Sequence, residues 1–184
     1  ELERTALASL VENSKDIVVV KDLNRRVVAT NMAFTRAAGR NSVSDMLGKT
    51  DAEIFNVPET SEPVQSYMLD DLKAMKLPPG ELIVREEPII FPNGEARTFL
   101  TRKFPVRDTS GNVVYVGIIS TDISEQKASL RKLMESEARF RQIYEHMHVG
   151  VARVSLDFHL VSINQAYCQM LGYTESELVG KHLV

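Results

Sequence analysis

Apolar and polar residues alternate in short blocks along most of the chain, and the period changes at a few marked places. Leu7, Leu10 and Val11 stand at helical spacing and predict a helix over 1–13. The apolar, β-branched run 17–21 predicts a strand, 22–25 is a polar turn, and 26–30 is its hairpin partner. Asn31 is placed to cap a short helix that runs through Ala38 and stops at Gly39. Two or three short helical turns are expected over 43–55, then a longer helix over 62–76, halted by Pro78-Pro79-Gly80. Three strands come next, over 82–91, 96–106 and 113–121, separated by turns rich in Asn, Asp and Gly. Two strands, a helical insert and three antiparallel strands make an α+β unit.

Beyond Asp122 the period becomes helical. Ile123, Leu130, Leu133, Phe140, Tyr144 and Met147 recur by sevens, threes and fours, with Gln126 and Glu137 at polar seam positions. This stripe predicts a parallel coiled coil between two copies of the chain, with Leu130, Leu133, Phe140 and Tyr144 as the dimer seam; the alternative is an amphipathic helix lying on its own domain. Asp122 and Glu125 have the spacing of a capping box. Asp122, Ser124 and Glu125 are therefore the expected relay by which strain in the sheet reaches the helix.

The pattern then begins again. With Leu10-Val11-Glu12 laid over Ile143-Tyr144-Glu145, Val18 falls on Val151, Val28 on Val161, Asn31 on Asn164, Ala33 on Ala166 and Gly39 on Gly172. After a one-residue gap, Leu47-Gly48-Lys49 falls on Val179-Gly180-Lys181. The chain holds one complete unit and the opening part of a second.

Composition narrows what these units do. At 43% hydrophobic and 26% charged residues the chain can bury a core. The 25 acidic against 22 basic residues leave a net charge of −3, which gives no electrostatic footprint for nucleic acid, so no nucleic-acid partner is expected. One cysteine, Cys168, suits a reducing, cytoplasmic setting and is expected to be a buried helix residue. No apolar run approaches the ~20 residues of a membrane span, so this fragment is expected to make no membrane contact.

Catalysis finds little support. His146, His148, His159 and His182 all lie late, so the complete unit has no histidine for a nucleophilic triad or metal site. His146 and His148 could face one way on a strand, but two ligands without a third predict no metal. Gly48-Lys49-Thr50 mimics the end of a phosphate loop, yet Val43 stands where its first glycine belongs, and a turn is expected instead. The fragment is read as no enzyme.

Several runs carry a family resemblance: Asn31-Met32-Ala33-Phe34, Leu47-Gly48-Lys49-Thr50-Asp51, Phe91-Pro92-Asn93-Gly94-Glu95, and 100–108. The run 117–127 holds Asp122-Ile123-Ser124, close to a signature Asp-Ile-Thr with Ser124 in place of Thr. In this order they resemble a PAS domain, and 136–141 with Asn164-Gln165-Ala166-Tyr167 resembles the start of a second. The resemblance implies a five-stranded antiparallel sheet with helices on one face, a long linker helix and a truncated second PAS unit. The corresponding domains are 1–124, 125–147 and 148–184. It further implies a sensory and dimerisation module that reports ligand or partner state to an output domain in the same chain, a histidine kinase or cyclic-dinucleotide enzyme. The alternative is a ligand-free structural dimerisation or spacer array.

The same resemblance narrows the ligand and its walls. Haem is not expected, because the long helix offers no histidine; the photoactive flavin subtype is not, because the complete unit lacks cysteine. A small organic ligand or an empty core remains. Strand period places Phe99, Thr101 and Lys103 on one face, and Ile118 and Ser120 on one face of the last strand. By resemblance these faces point inward to a pocket. An inward Lys103 must find a negative partner: Asp51, Asp71, Glu87 or an acidic ligand.

Overall fold

The structure, a computed structural model, describes residues 2–91 and 93–183; the expectations that touch Glu1, Pro92 and Val184 lie outside the described residues. The chain divides into two compact units, Glu1–Glu125 and Gln126–Val184. In the first, helix α1 (Leu2–Asn13) precedes the hairpin β1 (Ile17–Lys21) and β2 (Val27–Thr30). Short helices α2 (Met32–Ala37) and α3 (Asp51–Phe55) flank a 3-10 turn at Val43–Asp45, and the longer α4 (Glu62–Ala74) completes the helical insert. Strands β3 (Ile83–Ile90), β4 (Ala96–Arg107) and β5 (Val113–Asp122) end the unit. The five strands form one antiparallel sheet in the order β2-β1-β5-β4-β3.

Local chemistry explains the boundaries. The Asp22 carboxylate accepts from the Asn24 and Arg26 amides, 2.9 and 2.8 Å, which holds Arg26 in the turn and starts β2 one residue later than its pattern predicts. Arg25 takes a positive φ of 64° there. Lys49 and Gly48 form the expected turn rather than a phosphate loop, with Gly48 at φ 73°, and Thr50 caps α3 through a reciprocal pair with Glu53. β3 is an edge strand, which is where Pro88 can sit without costing the sheet a ladder bond.

Sheet alternation builds the core. Ile17 and Val19 of β1, Phe99 of β4, and Val116 and Ile118 of β5 are buried on one face, against Phe34 and Ala37 of α2, Ile54 of α3 and Ala74 of α4. Facing positions pair as Val19 with Ile118 and Thr101 with Ser120. The register thereby sets which side chains meet inside.

Two expectations about the segment beyond the sheet are corrected. β5 runs through Asp122 and α5 (Ser124–His146) begins at Ser124, so Ile123 occupies the cap position. The Asp122 carboxylate accepts from the Ser124 amide at 2.9 Å, a turn closed two residues on, in place of the predicted capping box. The reason is burial: the Ile123 side chain is drawn into the core while Asp122 stays at the sheet end. His146 closes α5 and His148 lies beyond it, so the two share no strand face; His146 instead contacts the Gln142 carbonyl through Nδ1.

In the second unit, β6 (Ala152–Val154) pairs with β7 (Leu160–Ile163), and α6 (Gln165–Leu171) and α7 (Glu175–Leu178) come after them. Cys168 on α6 is half-buried, not fully buried as expected, because the face of α6 that carries it is only partly covered. No helix among the described residues is long and apolar enough to cross a membrane.

Candidate functional site

A cavity of about 480 Å³ lies between the sheet and the helical insert of the first unit. That size suits a small organic molecule. Most of its wall is apolar: Ile17 and Val19 from β1, Phe34 from α2, Phe55 at the end of α3, Val64 from α4, and Ile118 from β5. Polar groups enter at a few points only.

One of them is a buried ionic tetrad. Lys21, the last inward residue of β1, donates to Asp51 at 2.6 Å and to Asp71 at 2.8 Å. Lys103 on β4 donates to the other oxygen of Asp71 at 2.7 Å and to the Tyr67 carbonyl at 3.0 Å. The Tyr67 ring lies 5.5 Å beneath the Lys103 ammonium. All four charged side chains are almost fully excluded from solvent, and Asp71 is wholly so. Such burial is tolerated because two ammonium groups and two carboxylates neutralise each other with their hydrogen bonds made. Burial alone would lower the Lys21 pKa, but Asp51 and Asp71 outweigh it and hold the ammonium above the usual lysine value.

The sequence-predicted residues fall in three groups. Thr101, Lys103, Ile118 and Ser120 are buried and line the cavity, with the Thr101 and Ser120 hydroxyls 2.9 Å apart. Asp51 and Glu87 also line it, whereas Asp71 stands behind the wall at the centre of the tetrad. Phe99 is a correction. It is buried on the expected face, yet it packs on Phe91 with ring centroids 6.2 Å apart and takes no part in the cavity wall. Its buried surface is taken up by the core and the Phe91 ring.

Glu87 on the edge strand β3 behaves differently from the two aspartates. It is half-buried and forms no ion pair within the tetrad. Its removal from water raises its carboxyl pKa above the usual glutamate value, against the pull of the Lys103 charge and a Thr101 hydrogen bond. The Tyr67 hydroxyl is pushed up to about 12, mainly by burial, so it remains a donor. Ser61, just before α4, has an enclosed hydroxyl with no hydrogen-bond partner among the described residues.

Lys21, Tyr67 and Ser61 are not among the sequence-predicted site residues. Period two on β1 puts Lys21 on the face of Ile17 and Val19, which is a readable signal. Nothing comparable marks Tyr67 or Ser61, whose roles depend on where α4 docks.

The junction beyond the cavity is tightly tied. Ser124 Oγ accepts from the Thr98 amide at 2.8 Å, and the Ile123 amide donates to the Thr98 carbonyl at 2.9 Å. The second Asp122 oxygen meets Arg97 at 3.1 Å. Glu125 lies exposed in the first turn of α5. Further along, Leu130, Leu133 and Phe140 are exposed. Tyr144 is half-buried instead; its ring stacks on Phe140 at 5.9 Å and its hydroxyl donates to the Val151 carbonyl at 3.4 Å.

Comparison with known proteins agrees with this architecture. A family model described as PAS fold matches residues 11–128, more than half of the chain, and one described as PAS domain matches residues 138–183. The chain belongs to the PAS family. A Sinorhizobium fredii protein, y4lL, is 30% identical over 131 residues, covering 70% of this chain and 15% of that protein. The Escherichia coli protein named Probable diguanylate cyclase DgcE is 37% identical over 54 residues, covering 29% of this chain and 5% of its own. The chain thus spans only a small part of both relatives.

Solved structures share the fold. The Vibrio cholerae VqmA dimer, described among LuxR-type receptors with a target DNA, superposes with a TM-score of 0.57 at 22% identity, covering 68% of this chain and 52% of that one. A phage VqmA–DPO complex gives 0.57 at 18% identity over 96% of this chain and 76% of that one. A PAS domain from Colwellia psychrerythraea gives 0.52 at 15% identity, covering 68% of this chain and 99% of that one.

Proposed function

We propose that the first unit senses a small organic ligand in its cavity and passes the bound state through β5 and α5 to an output domain elsewhere in the same protein. The observation that carries this reading is continuity between cavity and linker. Ser120 stands on the cavity wall, and just beyond it Asp122 and Ser124 fix the start of α5 against Thr98. A change in how Thr101 and Ser120 meet therefore bears directly on the helix.

A histidine kinase or cyclic-dinucleotide enzyme fits as the output, the second supported by the likeness to DgcE. Catalysis then belongs outside this chain. Two copies would join through the exposed apolar stripe of α5, giving a cytoplasmic homodimer. The net charge of −3 favours placing any nucleic-acid contact in an output segment rather than in these two units. A ligand-free dimerisation spacer is the second reading, favoured by the tetrad, which satisfies both lysines without help.

Native mass spectrometry of the purified chain, then denaturing spectrometry of the same sample, separates them. The sensory reading expects a non-covalent mass on the native protein that denaturation releases, or a compound that raises the melting temperature when added. A chain that neither retains nor is stabilised by any small molecule overturns it in favour of the spacer.

A further inference from the structure

The cavity charges are distributed unevenly, and the imbalance bears on what the cavity accepts. Lys21 and Lys103 are matched by Asp51 and Asp71, so the tetrad sums to no net charge. An anion entering beside it meets attraction and repulsion of similar size, and its lost hydration goes unrepaid. Glu87 is the remainder: a carboxylate on the wall that belongs to no pair in the tetrad. Apolar walls around one carboxylate that stands outside the tetrad fit a ligand with an apolar body and one strong hydrogen-bond donor.

We propose that the cavity takes an aromatic or aliphatic compound bearing a protonated amine or amidine, and that Glu87 reads that cationic group. The inference rests on the ligand-sensing reading above. Carboxylate and phosphate ligands are disfavoured on the same grounds. Glu87 lies on the edge strand and outside the tetrad, so its substitution leaves the buried ion pairs whole.

Saturation-transfer NMR on the full chain tests this with three probe sets of one body size: benzylamine and benzamidine, benzyl alcohol and benzamide, and benzoate and phenylacetate. The cationic set should bind at least about tenfold more tightly than the carboxylates, the scale of one charge-assisted hydrogen bond. In Glu87→Gln that preference should shrink to near unity. Equal or tighter binding of the carboxylates overturns the inference while leaving ligand sensing intact. So does a cationic preference that survives Glu87→Gln. Binding by no set overturns the inference, while the sensory reading stands or falls on the mass-spectrometric test above. Glu87→Ala, measured beside Glu87→Gln, should lose the same preference; retention in either variant counts against Glu87.

Discussion

Lys103 and Asp71 meet at 2.7 Å, and the same carboxylate also holds Lys21 at 2.8 Å. Asp71 is thus the hub of the tetrad, while Asp51 has one ammonium partner and Lys103 has one carboxylate partner. Asp71→Asn removes the carboxylate that pairs with Lys103, leaving a buried ammonium with only neutral acceptors, the amide oxygen and the Tyr67 carbonyl, beside it. It should cost about 3–5 kcal/mol of folding stability. Lys103→Met keeps the stem volume and breaks one of the ion pairs of the tetrad where Asp71→Asn breaks two, so its cost should be smaller. Urea unfolding of both variants checks the order; a milder effect at Asp71 than at Lys103 would refute the hub.

Glu87 supplies a pH signature. Groups facing it are Lys103 and Thr101 on β4, Arg85 on its own strand, and Asp70 and Tyr67 on α4. Burial leads these influences and raises its folded pKa above the unfolded value. The folded state therefore keeps a proton that the unfolded chain has released. Its stabilising contribution is complete below the unfolded pKa and disappears as pH rises through the folded one. Glu87→Gln should flatten the stability profile in that window and leave neutral-pH stability unchanged or higher. Unfolding measured from about pH 4 to 8 decides it, since an unaltered slope in the variant would assign the pH dependence elsewhere.

Asn31 and Asn164 perform one task in two units. Asn31 Oδ1 accepts from the Val18 and Phe34 amides, while its amide donates to the Val11 and Asp16 carbonyls. Asn164 does the same with Val151, Tyr167, Tyr144 and Val149. Each ties the end of the preceding helix to the next strand and helix. Alanine at either position removes a cap and several buried bonds, about 3 kcal/mol in all. Hydrogen exchange should show Val18 released in Asn31→Ala only, and Val151 in Asn164→Ala only. Protection retained at both amides would contradict the joint.

That repeated joint is legible from the sequence alone, because identical residues at a constant offset need only be laid over one another. The strands are legible for a related reason. Period-two alternation groups Thr101 and Ser120 with the residues that share their faces, the family resemblance turns those faces inward, and the register brings their hydroxyls together. What stays hidden depends on helix placement. The pairing of Asp71 with two lysines, and the Tyr67 carbonyl under Lys103, arise only once α4 packs on the sheet. Phe99 shows the converse: parity puts it on the buried face, yet there it packs on Phe91 and stays out of the cavity wall. The capping pattern misplaces the start of α5 because it ignores the competing pull of Ile123 toward the core.

The linker helix carries the last prediction. Leu133 is 65% exposed and Phe140 67%, so a charge at either costs the isolated chain almost nothing. In a coiled-coil dimer the same positions are buried in the seam, where an unpaired carboxylate loses its hydration. Leu133→Glu and Phe140→Glu should therefore leave the fold of the first unit unchanged and weaken self-association by about tenfold or more in Kd. Lys132→Glu lies one residue off the seam and is the control for added negative charge alone. Sedimentation velocity across a concentration series, with circular dichroism to confirm folding, reads all three. Dimers as tight in both seam variants as in the parent chain would place self-association on another surface, and equal weakening by Lys132→Glu would mark it as a charge effect.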